Sequence, residues 1–169
     1  REIAENSIFD IIMLQEIGIC HNIFVQYPNI VNRPSVTYHD HHTLVIIPAA
    51  VGAQSVGFIV HRRWASSATV VAICERAAAR NVWLGSLCVR CITSHLPGTH
   101  DINEYERHLH DLSSLVAARA LQPTIIGLDA NAILGSAACE EWESPFVLGP
   151  CRVGTRNYRG RVFSRWIHS

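Results

Sequence analysis

The sequence contains no lysine, only one methionine and no uninterrupted apolar run long enough to cross a membrane. Its longest apolar stretch, Thr43 to Val60, is broken by Pro48 and Gly52, so it favours two short strands over a bilayer span. The N-terminal residues lack the basic and then apolar order of a signal peptide, and the first residue is Arg1 rather than methionine. We therefore expect part of a longer intracellular protein, nuclear or cytoplasmic, without a membrane partner.

Charged residues are also scarce. They make up 17% of the chain, whereas 49% of the residues are hydrophobic, and the formal net charge is zero. This composition is typical of a single globular domain over residues 1–169, and it gives no long-range attraction for a polyanion. The positive charge is uneven, since residues 149–169 hold five arginines and no acidic residue. They are Arg152, Arg156, Arg159, Arg161 and Arg165. A guanidinium forks onto phosphate oxygens better than an ammonium does, but a compositional bias explains the cluster equally well.

The six cysteines are too scattered for a small disulfide scaffold, and a reducing compartment fits them best. Cys88 and Cys91 form a C-x-x-C, but the surrounding residues predict a strand, in which residues three apart point to opposite faces. A zinc or redox site is therefore not expected there. We also interpret His39-Asp40-His41-His42 as a solvated loop, because no partner lies at a known metal-ligand spacing.

Short apolar runs predict the strands. Residues 10–16 form one such run, which delivers Glu16 at its C-terminal tip, after a stretch of helical character that ends at Phe9. Further runs rich in valine, isoleucine and leucine are separated by short polar or small residues, which predicts an antiparallel meander. These runs are residues 43–47, 55–61, 68–74 and 82–94.

A long helix is expected from Asp101 to about Leu121. Asp101 and Glu104 resemble a capping box, apolar residues recur on one face, and Pro123 ends the pattern. The remaining predicted elements are a strand at residues 124–128, a helical turn near residues 139–142 and a final helix at residues 160–167.

Polar side chains stand where three predicted strands end. Glu16 is a carboxylate fixed by a sheet yet able to reach solvent, which is what a hard divalent cation needs. Asp129 and Asn131 are two apart, so on an extended backbone they point the same way and converge on one phosphate or water. His95 could donate a proton to a phosphate oxygen near neutral pH. Each residue alone is explained as a turn or surface residue, so their order along the chain is what favours a site.

That order is a strand ending in Gln-Glu, a strand ending in His-x-Pro, a helix and a strand ending in Asp-x-Asn. It resembles the endonuclease/exonuclease/phosphatase superfamily over nearly the whole chain. Residues 10–16, Asp-Ile-Ile-Met-Leu-Gln-Glu, are similar to the metal-binding L-Q-E strand of that superfamily. Residues 127–132, Gly-Leu-Asp-Ala-Asn-Ala, are similar to its G-D-x-N-A motif. Within that superfamily, the motifs are most similar to those of the endonuclease domains of LINE-type retrotransposons.

The resemblance implies a fold, an activity and roles for single residues. The fold is an α/β four-layered sandwich of two mainly antiparallel sheets flanked by helices, incomplete at both ends. The activity is metal-dependent hydrolysis of phosphodiesters, with nucleic acid as partner and DNA favoured over RNA. Glu16 would bind Mg²⁺ or Mn²⁺, Asp129 would orient or activate the attacking water, and Asn131 would hold the scissile phosphate. His95 would assist at that phosphate.

The arginine-rich stretch resembles a variable segment of the same superfamily, G-x-x-T-x-N-x-x-G, through Thr155, Asn157 and Gly160. Its positive charge predicts contacts with the phosphate backbone beside the active edge rather than with bases. The candidate phosphate contacts are Arg152, Arg156, Arg159 and Arg161.

The sequence also departs from the superfamily pattern. Leu128 stands where a glycine normally touches the aspartate, with Gly127 one position earlier. The superfamily's first strand, with its asparagine, and its last strand, with S-D-H, have no counterpart in the sequence, so we expect this chain alone to be weakly active or inactive. Two alternatives stay open: a truncated, non-catalytic remnant, and a lipid or inositol phosphatase of the same fold. The oligomeric state is not set by the sequence.

Overall fold

The computed structural model describes residues 10–17, 35–38, 40–47, 55–65, 68–74, 76–117, 122–135 and 154–169. The expected helical stretch up to Phe9, the helical turn near residues 139–142 and Arg152 lie outside these residues. The chain forms two compact units. The first comprises residues 1–95 and 112–129, and the second comprises residues 96–111 and 130–169.

The first unit contains two four-stranded sheets. Sheet A has the strand order β1-β4-β3-β2 and is antiparallel throughout. Its strands are β1 (Ile11–Ile17), β2 (Ser35–Tyr38), β3 (His42–Ile47) and β4 (Ser55–His61), and the short helix α1 (Arg62–Ala65) follows β4. Sheet B has the order β5-β6-β7-β8. Its strands are β5 (Ala68–Cys74), β6 (Ala77–Leu84), β7 (Leu87–His95) and β8 (Thr124–Asp129).

The strands of sheet B include one parallel pair. β5, β6 and β7 form the expected antiparallel meander, whereas β8 runs parallel to β7. A parallel pair needs a crossover connection, which here is the helix α2 (Ile102–Ala117). The Asp101 side chain caps this helix, accepting hydrogen bonds from the backbone N–H of Asn103 (2.9 Å) and Glu104 (3.4 Å), so the predicted helix start is confirmed. The residues between Ala117 and Gln122 lie outside the described ranges, and the predicted helix end lies among them.

The core of the first unit is formed by side chains from both sheets. Phe58 and Val60, on the interior strand β4, are completely buried. The cluster contains Val45, Ile47, Val56, Phe58 and Val60 from sheet A, and Ala78, Val82, Val89 and Cys91 from sheet B. Burial of these apolar surfaces is the main favourable term that holds the two sheets together.

The prediction of one strand over residues 82–94 is wrong. β6 ends at Leu84, a turn at Gly85 and Ser86 follows, and β7 begins at Leu87. Gly85 has φ 65°, the left-handed conformation that tight hairpin turns require. The first half of β6 escapes a sequence-based prediction because alanine has little intrinsic preference for strands. Pairing with β5 on one side and β7 on the other outweighs that preference.

The interpretation of His42 as a loop residue is also wrong. His42 is the first residue of β3 and is 5% exposed, and its ring packs edge-on against the ring of His61 with centroids 5.1 Å apart. The two residues are direct partners in the β3–β4 ladder, which the sequence alone does not reveal.

The second unit contains the start of α2 and the helix α3 (Tyr158–His168), close to the final helix that the sequence predicts. Asn157 caps α3, because its side-chain oxygen accepts hydrogen bonds from the N–H of Gly160 (2.7 Å) and of Ile133 (3.2 Å). No helix within the described ranges combines the length and the apolar character needed to cross a bilayer. The architecture, two mainly antiparallel sheets with helices, is that of the expected α/β class.

Candidate metal centre

Glu16 lies at a bulge near the end of β1. Leu14 pairs with Gly57 and Ile17 with Ser55, so β1 has one residue more than β4 over this interval. Glu16 has φ 52°, and its side chain is 59% exposed. A left-handed backbone costs a residue with a Cβ about 1–2 kcal/mol, and bulges of this kind re-aim a side chain. The bulge therefore takes Glu16 out of the regular alternation of its strand.

His95 and Asp129 end the neighbouring strands β7 and β8. They are direct partners in the parallel ladder, so the two strands deliver both side chains to the same edge of sheet B. The His95 side chain is 6% exposed and that of Asp129 40% exposed. The His95 Nε2 atom lies 3.4 Å from Glu16 Oε1 and 3.9 Å from Asp129 Oδ2.

The three side chains together form a candidate metal site. One donor atom of each residue lies within 4.8 Å of the donor atoms of the other two, and this is the one such group of His, Cys, Asp and Glu among the described residues. Two carboxylates and one imidazole, with no thiolate, suit Mg²⁺, Mn²⁺ or Zn²⁺ better than a soft cation. The residues thus fit a divalent cation by donor type and spacing.

A hydrogen-bonded layer lies next to these donors. The Gln15 carboxamide Nε2 donates to Thr93 Oγ1 (3.0 Å) and to the Gly127 carbonyl (3.1 Å), and Thr93 Oγ1 donates to the Leu14 carbonyl (2.9 Å). Gln15 is part of the Gln-Glu motif of β1, but the sequence alone predicts no role for it. Gly127 lies inside β8 rather than in a turn, and a Cβ there would lie 2.9 Å from Met13 Cβ, so the glycine permits close packing of the two sheets.

Asn131 belongs to the second unit and has a different local structure from the one expected. It has φ 46°, so the assumption of an extended backbone from Asp129 to Asn131 is wrong. Its Nδ2 donates to the Leu96 carbonyl (2.7 Å), and the adjacent Ala130 carbonyl accepts a hydrogen bond from the Tyr105 hydroxyl (2.8 Å). The side chain of Asn131 is thereby held in one orientation within its own unit.

The candidate arginines are on the second unit, except Arg152, which lies outside the described residues. Arg156 Nε donates a hydrogen bond to the Leu134 carbonyl (2.8 Å), and Arg159 Nη1 donates one to the Thr99 carbonyl (2.9 Å). Arg161 is exposed. Arg159 also lines an open cavity of about 460 Å³, and the other lining residues are Thr99, His100, Ile102, Asn157 and Tyr158. Two of the arginines thus have a structural contact in addition to any contact with a substrate.

Comparisons with known proteins bear on the fold. No protein-family model matches the chain, and no curated protein matches it either. The endonuclease domain of TRAS1, a telomere-specific non-LTR retrotransposon, is similar in structure, with a TM-score of 0.51 and 12% identity over 73% of this chain and 51% of that domain. Truncated TDP2 from Caenorhabditis elegans (TM-score 0.43, 16% identity) matches over 77% of this chain and 52% of its own. The human Nocturnin catalytic domain (0.40, 14%) matches over 73% and 52%.

The chain spans about half the length of these solved structures. Among these three, the likeness to the TRAS1 domain is the one with a TM-score above 0.5. From its two sheets and this likeness, the chain shares the fold of the TRAS1 endonuclease domain, in agreement with the α/β architecture that the sequence resemblance implies.

Proposed function

We propose that this chain carries part of the active site of a metal-dependent phosphodiesterase acting on nucleic acid, the DNA endonuclease of a retrotransposon-like element. The observation that carries the proposal is the group of Glu16, His95 and Asp129, whose donor atoms lie within 4.8 Å of one another. The fold supports it as well, since the TRAS1 domain of similar structure is the endonuclease domain of a non-LTR retrotransposon.

Each residue has a role that fits its surroundings. Glu16 and Asp129 supply oxygen atoms to Mg²⁺ or Mn²⁺, and Asp129 also accepts a hydrogen bond from the attacking water. His95, held at the sheet edge, is not a ligand in this proposal; it lies beside the two carboxylates and donates a hydrogen bond or proton to the phosphate. Asn131 binds the phosphate through its amide, whose orientation is fixed by the bond to Leu96. When bound, the cation polarises the phosphate and stabilises the charge that develops on the leaving oxygen.

Metal binding tests the first part of the proposal. We expect the full chain to bind one Mn²⁺ per molecule, measured by electron paramagnetic resonance of the free ion. Glu16→Gln and Asp129→Asn should each weaken binding by more than about tenfold, because each removes a charged ligand. Asp40→Asn removes an exposed carboxylate elsewhere and should leave the affinity unchanged. Equal affinities in all four proteins would exclude the site.

Cleavage of supercoiled plasmid DNA tests the second part. Nicking that requires Mg²⁺ or Mn²⁺ and is lost in Glu16→Gln supports an endonuclease. Metal binding without hydrolysis of DNA, of RNA or of a soluble inositol phosphate is expected both of the non-catalytic alternative and of an active site that is incomplete in this chain. Hydrolysis of the inositol phosphate alone would instead assign the phosphatase alternative.

A further inference from the structure

Gln15 lies where the strands that carry Glu16, His95 and Asp129 come together. We infer that Gln15, with Thr93, is a positioning residue that holds the Glu16 carboxylate in place relative to His95 and Asp129. This inference rests on the proposed metal site, but it concerns a residue pair that has no ligand role. It is carried by hydrogen bonds and by the pairing of the strands.

The geometry places Gln15 directly beside the ligand residues. Thr93 and Gly127 are paired across β7 and β8, and the next pair on the same side of the ladder, two residues on, is His95 with Asp129. Gln15 donates to Thr93 and Gly127 and is the chain neighbour of Glu16. The Gln15 carboxamide of sheet A is therefore bonded to the residue pair of sheet B that lies two positions before His95 and Asp129.

Glu16 needs such support because its own strand holds it weakly. The bulge interrupts the pairing between Leu14 and Ile17, and Glu16 has an unfavourable left-handed backbone. Thr93 closes the network, since its hydroxyl accepts from Gln15 and donates to Leu14, the residue before Gln15. The Leu14 carbonyl and the Gln15 side chain, which precede Glu16, are thus both hydrogen-bonded to sheet B.

Both partners of each bond have the chemistry that the arrangement requires. A carboxamide can donate two hydrogen bonds, whereas a carboxylate in the same place cannot donate to the Gly127 carbonyl. A hydroxyl can accept and donate at once, which a methyl group cannot. Gln15→Ala, Gln15→Glu and Thr93→Val should therefore disturb the position of Glu16, and Thr93→Ser should preserve it.

Mn²⁺ affinity of the folded chain, measured by electron paramagnetic resonance, is the decisive measurement, with thermal unfolding of the metal-free chain beside it. We expect Gln15→Ala to weaken Mn²⁺ binding by about 10- to 100-fold, the usual effect of removing a residue that orients a ligand. Thr93→Val should act in the same direction, and Thr93→Ser should bind like the wild type. Ile92→Val is the matched control, since it removes a methyl group from a buried neighbour in β7 and should lower stability without changing affinity.

The outcomes separate this inference from the proposed function. Wild-type chain that binds no Mn²⁺ overturns both. Wild-type binding with unchanged affinity in Gln15→Ala and Thr93→Val, even if both variants melt at lower temperature, overturns the positioning role alone. If Gln15→Ala does not fold, the comparison of Thr93→Val with Thr93→Ser decides the question.

Discussion

At the scale of single residues, the sequence motifs identify Glu16, His95 and Asp129, and the structure brings their donor atoms together. Their positions at strand ends are predictable because apolar runs mark the strands and polar residues mark their ends. The bulge at Glu16 is not predictable, since it depends on how β1 pairs with β4. Asn131 shows the same limit, because its left-handed backbone does not follow from the spacing of two. The chemical roles of all four residues remain predictions.

Gly127 is expected to be intolerant of any side chain. In Gly127→Ala the new Cβ would lie 2.9 Å from Met13 Cβ and 3.1 Å from Met13 Sδ. Because a Cβ atom cannot rotate away, we expect a loss of about 1–3 kcal/mol in the free energy of unfolding, measured in urea. At Gly98 an added Cβ would lie no closer than 3.7 Å to its neighbour, Asn131 Oδ1, so Gly98→Ala is the control. Equal effects of the two substitutions would contradict close packing at Gly127.

Cys91 should make stability depend on pH. Burial raises the pKa of its thiol, and the neighbouring Arg80 opposes this only in part. The folded chain therefore holds the proton more tightly than the unfolded chain does. This contribution is fully present below the unfolded pKa, about 8.5, and is lost as pH rises through the folded pKa.

Urea unfolding between pH 7 and pH 10 measures the effect. We expect the free energy of unfolding to fall above about pH 8.5. The fall should be smaller in Cys91→Ala. Ile92→Val, a buried neighbour without a titrating group, should keep the wild-type slope while lowering stability at every pH. A slope in Cys91→Ala that equals that of the wild type would show that this thiol does not contribute.

At the scale of elements, prediction succeeds where residue preference and tertiary pairing agree. β1, β4, β5, β8 and α2 combine apolar runs or helical periodicity with clear boundaries, and each is found close to its predicted position. β6 begins with three alanines, which have little preference for strands, and no apolar run predicts β2. β6 pairs with β5 and β7, and β2 pairs with β3, which are their neighbours along the chain. Their formation therefore depends on pairing within the sheet rather than on the preferences of the segment alone.

The β6–β7 hairpin should depend on the backbone of Gly85. An added Cβ would meet nothing within 4 Å, so any loss of stability in Gly85→Ala comes from the φ of 65° rather than from a clash. We expect a loss of about 1–2 kcal/mol in the free energy of unfolding. Gly85→Asn should lose less, because asparagine tolerates this conformation. The same loss for both variants would argue against a left-handed turn.

At the scale of the whole molecule, the zero net charge makes binding of a polyanion depend on local clusters of arginine. If Arg161 contacts a phosphate, Arg161→Gln should reduce the slope of log affinity for duplex DNA against log salt by roughly 0.9. Arg62→Gln removes the same charge from the end of sheet A opposite to Glu16 and should leave the slope unchanged. The measurement is fluorescence anisotropy of labelled DNA in EDTA at several salt concentrations. If both variants show the same slope, Arg161 does not contact a phosphate and is a solvated surface residue.

The left-handed backbone at Glu16 lowers the stability of the fold, whereas the proposed metal site requires a carboxylate at this position. Selection for a stable fold alone would favour glycine or asparagine at this position, so the glutamate is kept at a thermodynamic disadvantage. We expect Glu16→Asn to raise the free energy of unfolding by about 1 kcal/mol, because asparagine tolerates the left-handed conformation. Glu16→Gln should gain less, because glutamine tolerates this conformation no better than glutamate does. Thermal unfolding of the metal-free chains measures both. If the proposed metal site is the reason for the glutamate, a related sequence that does not need the site would gain stability by replacing it, so the residue at position 16 would distinguish sequences that keep the site from those that do not.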